Sequence, residues 1–258
     1  MPGNDLALLT GAAREAGDVA MRFWRRSPKA WDKDDGAGPV TEADHAVNDC
    51  LAARLRGARP AYGWLSEESP DTTDRLSAEA VFIVDPIDGT RAFIAGEDVF
   101  AVAVAVARHG RVTAGAVYLP ALDRMYAASD TSDATLNGRA LAASTTAEPD
   151  GARVLTTAPN MAASHWPGGV PALKRSFRPS LAYRLCLVGE GRHDGMVTFR
   201  DAWEWDIAAA SLIAARAGAV VTDRLGHGLR FNAPHPQTAG VIAAGPALHA
   251  ALMRRILV

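Results

Sequence analysis

Apolar side chains recur at steps of three and four near the start of the chain. Leu6, Leu9, Ala13, Ala16 and Ala20 share one face, which predicts an amphipathic helix over residues 5–25. A polar, glycine-containing loop follows from Lys29 to Pro39. A second helix is predicted over 42–57, with Val47, Cys50, Leu51 and Leu55 on one side. Val81-Phe82-Ile83-Val84 is apolar throughout and predicts a short buried strand stopped by Asp85-Pro86. From Val99 to Val106 valine alternates with alanine in strand period, and Val112 to Leu119 reads as its neighbour across a hairpin turn at Gly110.

After Asn137-Gly138 the texture changes. Residues 145–180 are rich in Pro, Gly, Ser and Thr, with a short strand-like piece from Arg153 to Thr157. Leu185-Cys186-Leu187-Val188 predicts another buried strand. Glu204 to Ala217 predicts a helix, followed by strand 219–222, a Gly226-His227-Gly228 turn, strand 240–244 and a last helix that Pro246 opens. The break near 135–140 predicts two layered halves, 1–137 and 138–258, around one cleft.

Composition narrows the function classes. With 258 residues, 48% hydrophobic and 22% charged, the chain is long enough for a sizeable core and is neither disordered nor fibrous. A net charge of −2 gives no polyelectrolyte attraction, so neither nucleic acid nor a membrane surface is expected as a partner. The longest apolar run, Val99 to Ala107, is less than half a membrane span. The N-terminus lacks the order of a secretory signal, and Cys50 and Cys186 read as buried free thiols without metal spacing. A cytoplasmic location is the expectation.

No Gly-x-Ser-x-Gly, Walker loop, His-Glu-x-x-His or dinucleotide glycine fingerprint is present. What remains is carboxylates in unusual places. Asp85-Pro86-Ile87-Asp88-Gly89-Thr90 stands directly after a buried strand, where loops carry function. Two aspartates on a constrained turn can aim at one point, with the Gly89 and Thr90 N–H groups facing it; a plain type I turn is the competing reading. Alone, Ser66-Glu67-Glu68-Ser69 reads as a solvated loop. Thr41-Glu42-Ala43-Asp44 reads as a capping box, and Trp205-Asp206 as an acid favoured by a helix dipole.

Taken together these stretches form a set. Lys33, Gly38-Pro39-Val40-Thr41-Glu42-Ala43-Asp44, Ser66-Glu67-Glu68, the Asp85–Thr90 hexapeptide and Trp205-Asp206-Ile207-Ala208-Ala209 resemble the inositol monophosphatase superfamily. That superfamily includes inositol monophosphatases, 3'(2'),5'-bisphosphate nucleotidases and fructose-1,6-bisphosphatases. The resemblance implies a Mg²⁺-dependent phosphomonoesterase built as a layered αβαβα sandwich, a mixed α/β and α+β fold with its active site between the halves. It implies that Glu67, Asp85 and the Ile87 carbonyl hold one Mg²⁺, and that Asp85, Asp88 and Asp206 hold a second. A third would bind weakly near Glu67. Asp44 and Thr90 would position and deprotonate the attacking water, with Glu67 assisting. Gly89 and Thr90 would cradle the phosphate of a small-molecule monoester, with Asp206 also facing it. A homodimer and lithium sensitivity are carried by the same resemblance.

The chemistry is consistent with that set. Five acids converging on one pocket repel each other and any phosphate, and oxygen-only ligands select a hard cation such as Mg²⁺. Removing one of them is expected to relieve repulsion, so Asp88→Asn should leave metal-free stability unchanged or raised. A haloacid-dehalogenase-type phosphatase needs Asp-x-Asp, whereas here two residues separate Asp85 from Asp88.

For the substrate, an acid that contacts ring hydroxyls in animal-type inositol phosphatases falls at Phe199 here. Arg184-Leu185-Cys186-Leu187-Val188-Gly189-Glu190-Gly191 resembles a run in bacterial bisphosphate nucleotidases. Arg184 or Arg200 would meet a second phosphate, with a surface ion pair as the bland alternative for each. The expectation is a 3'(2'),5'-bisphosphate nucleotidase. The alternatives are inositol-1-monophosphatase, fructose-1,6-bisphosphatase, or a non-catalytic regulator using the Trp24-Arg25-Arg26 patch.

Overall fold

The structure, a computed structural model, describes residues 3–33 and 38–257. Residues 34–37 of the predicted Lys29–Pro39 loop lie outside the described residues. Helix α1 (Gly3–Phe23) buries the Leu9, Ala13, Ala16 and Ala20 stripe, and α2 (Glu42–Ala58) buries Val47, Leu51 and Leu55. Cys50, expected to be buried, is half-buried at the edge of that stripe. Between the helices β1 (Ala30–Asp32) pairs antiparallel with β2 (Pro39–Thr41). Thr41 then caps α2 in a full capping box with Asp44.

A seven-stranded sheet runs in the order β3 (Gly63–Ser66), β4 (Ala80–Asp88), β5 (Ala101–Arg108), β6 (Arg111–Leu119), β7 (Arg124–Ser129), β8 (Thr135–Leu136), β9 (Arg139–Ala140). Only β3 and β4 are parallel. The β5–β6 turn places His109 and Gly110 at φ 50° and 78°, the pattern of a type I′ hairpin. Asn137-Gly138, where the texture breaks, is the turn between β8 and β9.

The valine–alanine alternation of β5 has a structural purpose. Val102, Val104 and Val106 face α1 and α2, whereas Ala101, Ala103 and Ala105 face the opposite layer. There α4 (Leu181–Gly189) and α5 (Glu204–Arg216) pack, after the short α3 (Thr90–Ile94) that follows β4. The small residues admit α5 to backbone contact: a Cβ on Gly115 would meet the Ala209 Cα at 2.8 Å.

The other side of α4 and α5 is covered by a second sheet, built from β10 (Arg153–Leu155), β11 (Lys174–Ser176), β12 (Gly195–Thr198), β14 (Val220–Thr222) and β16 (Val241–Ala244). Its order is β11-β10-β12-β16-β14. A separate pair joins β13 (Ala202–Trp203) to β15 (Gln237–Thr238). On the outer face Val154, Val197 and Ile242 meet Leu248 and Leu252 of α6 (Pro246–Ile256). The layers are therefore helix, sheet, helix, sheet, helix. No helix among the described residues is long and apolar enough to cross a membrane.

Two further expectations are corrected. Leu185–Val188 is not a strand but the middle of α4. That helix lies between two sheets and is buried almost all round, so it shows no polar face and its apolar run mimics a strand. Nor does Asp85-Pro86 stop β4, which continues to Asp88 through a bulge.

Candidate active site

The bulge organises the site. Asp85 pairs with Ala103 and Asp88 with Ala101, so three steps on β4 oppose two on β5. In a regular strand residues three apart face opposite sides; the extra residue turns Asp85 and Asp88 to the same side, towards α4 and α5. Ile87 keeps its side chain in the α1/α2 core. Pro86 sits in the bulge, where a missing N–H is tolerated. The parallel β3–β4 register pairs Ser66 with Val84, which brings Glu67 alongside Asp85. Asp206 arrives from the first turn of α5.

Glu67, Asp85 and Asp206 each place an oxygen within 4.8 Å of the others. Asp85 is 1% exposed, and its Oδ1 has no hydrogen-bond partner among the described residues. Burial, then the charges of Glu67, Asp88, Asp206 and Asp44, hold its carboxyl well above the ordinary range. Asp206 is raised in the same way by burial and by Asp88 and Glu67, against the pull of Arg200. Asp88 differs. Burial lifts it to about 6, but it accepts from Ser180 Oγ at 2.7 Å and from the N–H groups of Ala182 and Leu181 at 2.6 and 3.2 Å.

Asp44 closes the site from α2. Its Oδ2 accepts from the Thr41 N–H at 2.9 Å and hydroxyl at 2.5 Å, while Oδ1 lies 3.3 Å from Thr90 Oγ1. Burial raises its pKa despite those Thr41 bonds. Thr90 Oγ1 is also 3.1 Å from the Ile87 carbonyl. Gly89 turns the chain between them at φ 101°, where a Cβ would press on the Val99 carbonyl at 3.3 Å. Lys33 Nζ bridges Glu67 and Glu68 at 2.8 and 2.7 Å.

Lys33, Glu67, Asp85, Asp88, Thr90 and Asp206 border a cavity of about 540 Å³ that also exposes Arg91, Arg200, Phe177, Trp203 and Trp205. Of the two arginines proposed for a second phosphate, Arg200 lines the cavity and Arg184 does not. The Arg184 guanidinium donates to the carbonyls of Arg178 and Pro179 and lies over the Phe177 ring. Phe199 is core, stacked on His165 at 4.4 Å. Glu190 of the same run accepts from Arg124 and Tyr126 on β7. The Trp24-Arg25-Arg26 patch is partly committed within the chain: Trp24 Nε1 and Arg25 Nε donate to the carbonyls of Glu97 and Gly96. Ser180 and the cavity aromatics Phe177 and Trp203 escape a sequence reading. Ser180 before an apolar run is an N-cap signal, hidden once that run is taken for a strand.

The donor set suits a hard divalent cation: clustered carboxylate oxygens, one of them buried without a partner, and no His or Cys among them. The model of the inositol monophosphatase family matches residues 4–257. The chain belongs to that family. It is 32% identical to the inositol-1-monophosphatase of Rhizobium meliloti over 228 residues, 84% of this chain and 82% of that one. It is equally identical, 32% over 230 residues, to the Nus factor SuhB of Pseudomonas aeruginosa, with 83% of each covered. The crystal structure of the extragenic suppressor protein suhB from Bartonella henselae superposes with a TM-score of 0.84 at 26% identity, covering 98% of both chains. The fold is thus that of the inositol monophosphatases, and the chain is a phosphatase of this metal-dependent family, whose members act on small phosphate monoesters.

Proposed function

We propose that the chain is a Mg²⁺-dependent phosphomonoesterase whose preferred substrate is a 3'(2'),5'-bisphosphate nucleotide. The observation that carries the metal chemistry is the meeting of Glu67, Asp85 and Asp206 around an unpartnered Asp85 oxygen. Glu67, Asp85 and the Ile87 carbonyl would hold one Mg²⁺, and Asp85, Asp88 and Asp206 a second, with Glu67 open to a weak third. Bound there, such ions neutralise the cluster, acidify water and stabilise the leaving alkoxide. The Thr90 hydroxyl, 3.3 Å from Asp44 Oδ1, would pass its own proton to that carboxylate as its oxygen takes one from the attacking water. The Gly89 and Thr90 N–H groups would hold the phosphate.

The nucleotide preference rests on what else borders the cavity. Arg200 supplies a guanidinium for a second phosphate, and Trp203, Trp205 and Phe177 supply flat apolar surface for a base. Inositol 1-phosphate would use neither. A second reading, inositol-1-monophosphatase, is favoured by the name of the Rhizobium meliloti relative. A cytoplasmic homodimer inhibited by lithium belongs to the same proposal.

The test is specific activity on adenosine 3',5'-bisphosphate, inositol 1-phosphate and fructose 1,6-bisphosphate, side by side, with Mg²⁺ and with EDTA. The bisphosphate nucleotide is expected to lead in kcat/KM, with no turnover in EDTA. A lead for inositol 1-phosphate would establish the second reading. Zero release across a broad phosphomonoester panel would sink the catalytic one.

A further inference from the structure

Two buried charged side chains that this chemistry does not use stand at opposite ends of one chain of hydrogen bonds. Glu204, fully buried, is the first residue of α5 and lies two positions before Asp206. Its oxygens accept the backbone N–H groups of Asn232 and Ala233 at 2.6 and 2.9 Å. Asn232 holds a left-handed φ of 62° there. Arg75, 2% exposed, grips the same turn from the other side. It reaches the Asn232 side chain at 2.6 Å and the Ala233 carbonyl at 3.0 Å, and forks onto Asp71 at 2.6 and 2.8 Å. Asn232 Nδ2 returns a bond to the Arg75 carbonyl at 3.1 Å.

One end of this strut packs against the strand that leads into Glu67, and the other lies on the helix that carries Asp206. Arg75 is packed against the first residue of β3, since a Cβ on Gly63 would touch its Cα and Cβ at 3.0 Å. That strand ends at Ser66, and Glu67 comes next. At the other end α5 has no side-chain cap on its N-terminus. Its first turn is held instead by Glu204, by the bond from the Glu204 N–H to the Pro236 carbonyl at 2.9 Å, and by the β13–β15 pair. Asp206 sits in that turn with a carboxylate oxygen within 4.8 Å of ligand oxygens of Asp85 and Glu67, and the charges of Asp88 and Glu67 oppose its ionisation.

We propose that Arg75 and Glu204 are positioning residues: together they hold the first turn of α5 so that Asp206 stays within ligand distance of Asp85 and Glu67. The proposal rests on reading Asp206 as a metal ligand. Two variants of the full chain test it. Glu204→Gln keeps the volume but turns one acceptor into a donor that faces an N–H group. Asn232→Gly accepts the left-handed backbone freely and removes only the side chain that Arg75 grips.

Each is stripped of metal, titrated with Mg²⁺ by calorimetry and tryptophan fluorescence, and melted in EDTA. Both are expected to weaken Mg²⁺ binding about 10-fold. In an Asp206→Asn background Glu204→Gln should add less than about 2-fold, because the ligand it positions is gone. Wild-type Mg²⁺ affinity in both variants, with lowered melting points alone, would reduce the strut to a structural brace and overturn the proposal. So would losses from Glu204→Gln and Asp206→Asn that multiply. If Glu204→Gln does not fold, Asn232→Gly decides. Unchanged Mg²⁺ affinity in Asp206→Asn alone would remove the ligand assignment itself, a separate failure.

Discussion

Asp85 and Asp88 are three residues apart on one strand and live under opposite conditions. Asp88 accepts three hydrogen bonds, from Ser180, Leu181 and Ala182, whereas Asp85 Oδ1 accepts none and faces Glu67 and Asp206. Repulsion relief alone predicts that either aspartate could be neutralised without loss, but hydrogen bonding separates them. In Asp88→Asn the amide donor would meet donors from α4, a mismatch worth about 1–3 kcal/mol. Metal-free Asp88→Asn should therefore melt below wild type, contrary to the expectation from charge alone. Asp85→Asn should melt about 2–4 °C above it, the equivalent of roughly 1 kcal/mol in a chain of this size. Scanning calorimetry in EDTA reads both, and equal shifts would refute the contrast. The identity of the acids was legible in the sequence. The donors to Asp88 were not, because they lie 92 to 94 residues away along the chain.

Among the elements, β4 and α4 are the two that patterning misread, for different reasons. A Pro after an apolar run signals a stop, yet β4 absorbs Pro86 in a bulge, and the extra residue is what brings Asp85 and Asp88 onto one side. A helix between two sheets has no wet face, so α4 lost its periodic signal, and with it the Ser180 cap. Arg184, one of the two arginines offered for a second phosphate, donates to the carbonyls of Arg178 and Pro179 and does not line the cavity. At the junction of β4 and α3, Gly89→Ala should cost about 1–3 kcal/mol, since φ 101° is strained for a Cβ-bearing residue and the Val99 carbonyl is already close. Turnover should fall further than stability, because Thr90 shifts against Asp44. Denaturant melts beside kcat check this, and a wild-type kcat would show that the turn does not set Thr90.

For the whole molecule, the acid cluster makes metal-free stability depend on pH with a definite sign. Burial lifts Asp88 to about 6, and burial with repulsion from neighbouring acids holds Asp85 and Asp206 well above the ordinary carboxylate value of 3.8. The folded chain therefore keeps protons that the unfolded chain releases near 3.8, so this contribution is full below that pH and lost as pH rises through 6 and beyond. Asp194 shifts the opposite way, since bonds from Arg153, Ser144 and Thr146 outweigh its burial, but its effect lies below this window. In EDTA the melting point should fall between pH 4 and 7, and the gain on adding Mg²⁺ should grow over the same range. His193 and His249, pushed below the ordinary imidazole value by burial, work against this fall in the same range. The check is therefore Asp85→Asn, whose melting point in EDTA should fall less between pH 4 and 7. An unchanged profile would mean the acids do not share one buried site. By itself the sequence determined the acidic segments that meet at the site, the helices at both ends of the chain, the β5–β6 hairpin and the layered fold class. Those follow from local periodicity, turn chemistry and short motifs. Only the tertiary structure decided that β4 bulges, that α4 is a helix, that Arg200 and not Arg184 borders the cavity, and that Arg75 meets Asn232 157 residues away. Each of those depends on contacts between segments far apart in the chain, which no local pattern encodes.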